Sequence, residues 1–88
     1  MKVIWDLKKA KINWLKHHIY FSDAETALYD PHALSIADPD VEGEDRYITT
    51  ACDALGRILT VVYTYRGDEL RIISARKATQ KERNAYEK

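Results

Sequence analysis

The residues of this chain that could carry out chemistry are mainly basic side chains and one histidine. Lys9, Lys16 and His17 have the spacing i, i+7 and i+8, which places them on one side of a helix. Four arginines follow in or beside strand-like runs: Arg46, Arg57, Arg71 and Arg76. A histidine titrates near neutral pH and can exchange protons, whereas guanidinium and ammonium groups bind phosphate.

Such a set of groups would support the cleavage of RNA. The 2′-hydroxyl of RNA attacks the adjacent phosphate, so the protein supplies only a base, an acid for the departing 5′-oxygen and cations for the charged transition state. The reaction requires no metal or organic cofactor. His17 would be the base or acid, and the lysines and arginines would be the cations. For each side chain taken alone, the alternative is a solvated or salt-bridged group with no chemical role.

Other kinds of site find little support in the sequence. Each of the three glycines has a turn-like setting, so no phosphate-binding loop is predicted. His17 and His18 would point about 100° apart on a helix and could not chelate one metal ion. Cys52 is the only cysteine, which rules out an intrachain disulfide and fits a reducing compartment. No segment approaches the roughly 18 apolar residues of a membrane span, so we expect a cytoplasmic protein with no membrane partner.

The formal net charge of zero hides a strong segregation of charge along the chain. Residues 1–20 carry five lysines and one acid, residues 21–56 carry nine acids and one arginine, and residues 57–88 carry eight basic residues and four acids. If the two ends fold together, they form a basic patch able to attract phosphate groups. The balanced total argues against a protein that coats DNA. Mixed charge for solubility is the other interpretation.

The candidate residues need elements that hold them, and the hydrophobic pattern predicts the order β-α-α-β-β-β-β-α. The predicted strands lie at residues 3–5, 32–36, 46–52, 58–65 and 70–76, and the helices at residues 7–18, from residue 22 and at 79–87. Short links containing glycine join the last three strands, which predicts antiparallel hairpins. We therefore expect one α+β domain over residues 1–88, with a small antiparallel sheet, two N-terminal helices and one C-terminal helix.

Capping residues predict where the helices begin. Asp6 is a suitable N-cap for the first helix. Ser22 with Glu25, and Thr79 with Glu82, have the spacing of a capping box. The apolar residues expected to face the core from the first helix and the turn after it are Leu7, Ala10, Trp14, Leu15 and Ile19.

The sequence resembles the BrnT family, the toxins of type II toxin-antitoxin systems that pair with BrnA antitoxins. The matching residues, in order, are Trp5-Asp6, Lys9, Asn13, Lys16-His17, Phe21, Ala24, residues 42–46, Gly56-Arg57, residues 71–79, Glu82-Arg83 and Tyr86. They cover nearly the whole chain. The chain differs from the usual family pattern at His18, where glycine is usual, and at Tyr20, where serine is usual.

The resemblance implies a RelE-like fold and a ribonuclease that cuts RNA, inhibits translation and is neutralised by a BrnA-like antitoxin. It also implies that operator DNA is bound only through the antitoxin complex. By analogy, the catalytic residues would be His17, Glu42, Arg46 and Arg57, and the RNA-binding residues would be Lys9, Lys16, Arg71 and Arg76; no metal ligand or cofactor is expected. The alternative is a noncatalytic binding module whose basic sheet face holds an acidic protein segment or a nucleic acid.

Overall fold

Three helices and a five-stranded sheet make up the computed structural model of the chain, which describes residues 1–39 and 45–88. In chain order the elements are β1 (Lys2–Ile4), α1 (Leu7–His17), α2 (Phe21–Ala27), β2 (Leu34–Ala37), β3 (Tyr47–Cys52), β4 (Ile58–Arg66), β5 (Glu69–Lys77) and α3 (Gln80–Tyr86). The predicted order and the α+β class are confirmed. No helix in the described ranges is long and apolar enough to cross a membrane.

The sheet has the strand order β1-β5-β4-β3-β2 and is mixed. β2, β3, β4 and β5 pair antiparallel, as the short links predicted for the last three of them, but β1 pairs with β5 in parallel. The prediction of a wholly antiparallel sheet is therefore wrong at this edge. A strand separated from its partner by most of the chain carries no local signal for its direction, since only hairpin links constrain the pairing to be antiparallel.

One face of the sheet packs against α1 and α2 and forms the hydrophobic core. Alternate residues of the three central strands point into it and are buried: Ala51, Leu59, Val61, Tyr63, Leu70, Ile72 and Ala75. Ala24 and Ala27 of α2 are fully buried, and their small side chains let this helix lie close to the sheet. Ile19, between α1 and α2, and Phe21, the first residue of α2, complete the core.

The side of α1 that faces the sheet agrees only in part with the predicted one: Ala10 packs against the core and Ile19 is buried, as expected, but the two leucines do not face inward. Leu7 and Leu15 are 81% and 66% exposed, whereas Asn13 is buried. β1 pairs only with Glu69–Arg71, so the edge of β5 beyond this point lacks a neighbouring strand. The side-chain amide of Asn13 forms two hydrogen bonds with that edge. Its Nδ2 donates to the backbone carbonyl oxygen of Ala75 at 2.8 Å, and its Oδ1 accepts from the Ala75 N–H at 3.0 Å. Buried backbone groups require such partners, and this requirement decides which side of α1 faces inward.

The junction between α1 and α2 lies one residue earlier in the chain than predicted. His18 ends α1 in the left-handed conformation, with φ 57° and ψ 34°. A histidine thus adopts, at the position where the family pattern has glycine, the conformation that glycine favours. α2 begins at Phe21, and the preceding Tyr20 makes no side-chain capping bond. The capping box predicted from Ser22 is wrong, because burial of Phe21 starts the helix before that serine.

The other two predicted caps are confirmed. Asp6 Oδ1 accepts from the N–H groups of Lys8 and Lys9 at 2.8 and 3.1 Å. Thr79 Oγ1 accepts from the Glu82 N–H, and Glu82 Oε1 accepts from the Thr79 N–H, which completes a capping box. Both caps depend on neighbours within three residues, so the sequence alone contains them.

Candidate functional site

A β-bulge in β5 brings two of the predicted arginines onto one face of the sheet. Simple alternation would place Arg71 and Arg76 on opposite faces, because they are five residues apart. The register between β4 and β5 shifts by one residue between them, so Arg71 pairs with Thr64 and Arg76 with Thr60. Thr60 and Thr64 are four residues apart on β4 and share a face. We call this face, opposite the core, the open face; it carries Thr60, Val62, Thr64, Arg71, Ser74 and Arg76.

His17 lies at the border of the open face, in a shallow pocket of about 180 Å³ between α1 and β5. The pocket is lined by Lys9, Ile12, Asn13, Lys16 and His17 from α1 and by Ile73 and Ser74 from β5. The pKa of His17 is below its usual value of 6.5, first because burial disfavours the charged ring and then because the charges of Lys16 and Arg76 oppose protonation. The neutral form of His17 therefore predominates at pH 7, and in that form one ring nitrogen can accept a proton.

Arg76 extends the cationic side of this pocket and is held in place by α3. Its Nη1 and Nη2 donate to Oε1 and Oε2 of Glu82 at 2.8 and 3.1 Å. The hydrogen bonds from Arg76 lower the pKa of Glu82 to about 2, and the same pairing raises the pKa of Arg76. The pair thus orients the guanidinium and fastens α3 to the open face. The Arg76 side chain remains 39% exposed, so a phosphate can still reach it.

Arg46 and Arg71 lie further along the open face. Arg46 directly precedes β3, and strand alternation places it on the opposite side from Tyr47, whose ring faces the core side with Tyr63. Within residues 1–39 and 45–88, the buried Nε of Arg46 has no hydrogen-bond partner. Arg71 lies across Thr64 on β5. The two arginines therefore belong to one row of residues that crosses β3, β4 and β5.

Arg57 lies on the other side of the sheet and is bound to two carboxylates. Its Nε and Nη2 donate to Oδ2 of Asp53 at 2.9 and 2.7 Å, and Nη2 also donates to Asp23 of α2 at 3.1 Å. The Asp53 side chain is fully buried. The hydrogen bond to Asp53 is the main cause of the raised pKa of Arg57. Since α2 packs on the core face, the structure separates Arg57 from the arginines of the open face.

Of the eight predicted residues, three line the pocket: Lys9, Lys16 and His17. Arg76 does not line it, but its charge acts on His17. Arg46 and Arg71 are on the adjoining open face, Arg57 is on the far side, and Glu42 lies outside the described residues. In the part of the chain that the structure describes, no group of His, Cys, Asp or Glu residues is arranged to hold a metal ion.

Asn13 and Ser74 line the same pocket but were not among the predicted site residues. The available signal for Asn13 was its place in the polar stripe with Lys9 and Lys16. A polar residue that shares a helix side with lysines is expected to face solvent. The burial of Asn13 therefore becomes visible only in the structure, through its contact with β5. Ser74 reaches the open face because of the bulge, which strand alternation does not predict.

Known proteins resemble this chain in both sequence and structure. The family model described as "Ribonuclease toxin, BrnT, of type II toxin-antitoxin system" matches residues 5–82. The crystal structure of the Brucella abortus ribonuclease toxin BrnT is similar, with 30% sequence identity and a TM-score of 0.68, and the match covers 91% of this chain and 99% of that chain. No curated protein gives a significant match.

Proposed function

This chain belongs to the BrnT family of ribonuclease toxins of type II toxin-antitoxin systems, and we propose that its RNA-cutting site is the pocket where α1 meets β5. The observation that carries the proposal is the position of His17 in a pocket that Lys9 and Lys16 also line. The charge of Arg76 on β5 acts on the same ring. A neutral imidazole next to cations suits phosphodiester cleavage, because the reaction needs a base for the 2′-hydroxyl and positive charge for the phosphate.

In the proposed reaction, His17 takes the proton of the 2′-hydroxyl and the 2′-oxygen attacks the adjacent phosphorus. The bond to the 5′-oxygen then breaks, which leaves a 2′,3′-cyclic phosphate and a 5′-hydroxyl. Lys16 and Arg76 stabilise the charge on the phosphate oxygens. A second group protonates the departing 5′-oxygen, and Lys16 and Glu42 are its candidates. The chain's own side chains supply every group in this scheme, so we propose that cleavage does not depend on a metal ion.

The remaining predicted residues take supporting roles in this proposal. Lys9 and Arg71 bind phosphates on either side of the cleaved bond, and Arg46 extends the same surface across the open face. Arg57 is assigned a different task, because its guanidinium is bound by two carboxylates, Asp53 and Asp23, on the core side of the sheet and away from the pocket. It holds α2 against the turn between β3 and β4 and does not contact RNA.

The proposed cellular role follows from the family. A type II toxin is opposed by a protein antitoxin, and we propose a BrnA-like antitoxin that covers the basic open face. RNA cleavage would inhibit translation in the cytoplasm, and operator DNA would be contacted only through the toxin-antitoxin complex. The RelE-like architecture implied by the sequence resemblance stays a prediction.

The test is RNA cleavage by the purified protein in EDTA. The wild type should cut RNA, and His17→Gln should slow cutting by about 10²- to 10⁴-fold while remaining folded. His32→Gln is a matched control, because His32 is exposed in the link between α2 and β2, and it should cut at the wild-type rate. Cutting that requires added Mg²⁺ would overturn the metal-independent scheme.

The pH dependence adds a second readout. The base must be unprotonated, and the pKa of His17 is below 6.5. The rate should therefore rise with pH below 6.5 and be level at neutral pH, and this rise should be absent in the residual activity of His17→Gln. Intact RNA that binds to folded wild-type protein would favour the noncatalytic binding module instead.

A further inference from the structure

We infer that Asn13 is a positioning residue for the ribonuclease, because its amide joins α1 to the free edge of β5 and so fixes His17 in the pocket that Ser74 of β5 also lines. The inference rests on the proposed role of His17 as the base. In this inference Asn13 does not need to contact the RNA, because it acts by fixing the orientation of the His17 ring.

The geometry around Asn13 is that of a clamp. The residue is 5% exposed, and its side chain makes three hydrogen bonds to backbone groups. Nδ2 donates to the oxygens of Ile19 and Ala75 at 3.0 and 2.8 Å, and Oδ1 accepts from the Ala75 N–H at 3.0 Å. A carboxamide presents a donor and an acceptor side by side, as a peptide group does. Asn13 therefore replaces a strand neighbour for Ala75 and also binds the turn that follows α1.

The clamp acts on both walls of the pocket. His17 follows Asn13 by four residues, so the two side chains lie on the same face of α1. On the opposite wall, Ala75 lies between Ser74 and Arg76 in the sequence. The pair of bonds between Asn13 and Ala75 therefore sets the separation between the ring of His17 and the groups of β5 that face it.

A residue that only stabilises the fold would have a different effect from one that positions the base. Loss of a purely structural amide lowers the fraction of folded molecules but leaves each folded site intact. Loss of a positioning amide lets the end of α1 move away from β5 in the folded protein. Water then reaches His17, and Arg76 no longer lies close to it, so the pKa of His17 rises toward 6.5.

The experiment measures the pKa of the His17 ring and the kinetics of RNA cleavage in the Asn13→Ala variant. The pKa of His17 is obtained from the NMR titration of its ring protons, and kcat and KM are measured per folded molecule. The charged groups around the ring are unchanged in this variant: Lys9 and Lys16 of α1, which line the pocket, and Arg76 of β5, whose charge acts on His17. We expect the pKa of His17 to rise, kcat to fall about 10- to 100-fold and KM to change much less.

Asn84→Ala is the matched control, because Asn84 is an exposed residue of α3 whose Oδ1 accepts one bond from Gln80. It should leave the His17 pKa and kcat unchanged. An Asn13→Ala protein with a wild-type His17 pKa and wild-type kcat per folded molecule would overturn the inference. If that variant does not fold, Asn13→Ser, which keeps a small polar group in the same space, is measured in the same way.

Failure of the proposed function would look different from failure of this inference. Normal cutting by His17→Gln would remove His17 from the mechanism. The NMR titration of Asn13→Ala would still decide whether the amide holds the ring in place, because that measurement does not depend on activity.

Discussion

Replacement of Arg57 by alanine tests whether this arginine belongs to the fold or to the chemistry. Its guanidinium donates twice to Asp53 and once to Asp23. Asp53 also accepts from the backbone N–H groups of Leu55 and Arg57, at 3.1 and 2.8 Å, and its side chain has no exposed surface. Arg57→Ala keeps these two backbone donors and removes the side-chain donors and the compensating charge.

The expected loss of stability follows from this geometry. Removal of one partner from a buried ion pair costs about 3–5 kcal/mol, because the other charge stays buried without compensation. The Arg57 side chain is 30% exposed, so water can enter the vacated space. With two backbone donors also retained, we expect a loss of about 2–3 kcal/mol. A domain of this size has a total free energy of unfolding of roughly 5–10 kcal/mol, so the variant should remain folded.

Urea denaturation followed by tryptophan fluorescence measures this loss. Arg83→Ala is the matched control, because Arg83 pairs with Glu87 at 3.5 Å and both side chains are about half exposed. Its cost should be about 0.5 kcal/mol or less. RNA cleavage per folded molecule should stay within about threefold of the wild type in Arg57→Ala, since the arginine lies away from the His17 pocket.

Two outcomes would refute the reasoning on Arg57. Stability within about 0.5 kcal/mol of the wild type would mean that the buried Asp53 does not need its partner. A folded Arg57→Ala protein that has lost cleavage by about 100-fold or more would mean that Arg57 acts in the chemistry, as the sequence resemblance implied.

Two further substitutions test local features of the fold. His18→Gly should raise the free energy of unfolding by about 0.5–1 kcal/mol, because His18 has a φ of 57°, which glycine adopts without strain. A lower melting temperature for the variant would mean that the ring contact between His18 and Trp14 outweighs the backbone strain. Glu82→Gln should cost about 1–2 kcal/mol at pH 7, after allowance for solvent screening of the pair with Arg76. Because the folded pKa of Glu82 is about 2 and its ordinary value is 4.5, that stabilisation is complete above pH 4.5 and is lost as pH falls toward 2. Urea denaturation at several pH values should therefore show the difference from the wild type closing, and a constant difference would contradict the assignment.

Much of the fold was predictable because its causes are local. In β4 the alternation of side chains along a strand places Leu59, Val61 and Tyr63 on one face, and all three are buried. The spacing of Thr79 and Glu82 predicted the start of α3. Such features depend on residues that are close together in the chain, so they can be predicted from the sequence.

The arrangement of the candidate site was only partly predictable. The positions of Lys9, Lys16 and His17 on one side of a helix follow from the 3.6-residue period of the helix. Which way that side faces does not follow, because it depends on the unpaired edge of β5, whose residues come some 60 positions later in the chain. A local sequence pattern cannot show that backbone groups at a distant strand edge will lack a strand partner and will form hydrogen bonds with the Asn13 side chain instead.

The sequence by itself determined the order of the elements, the charge segregation and the family of this protein, since each of these is written in residue types and their spacing. Only the tertiary structure decided which charges act together. The bulge in β5 brings Arg71 and Arg76 to one face, and the buried Asp53 removes Arg57 from that group. The physical reason is the same in both cases: strand register and burial are set by contacts between distant segments, and a charge is available to a substrate only if those contacts leave it exposed.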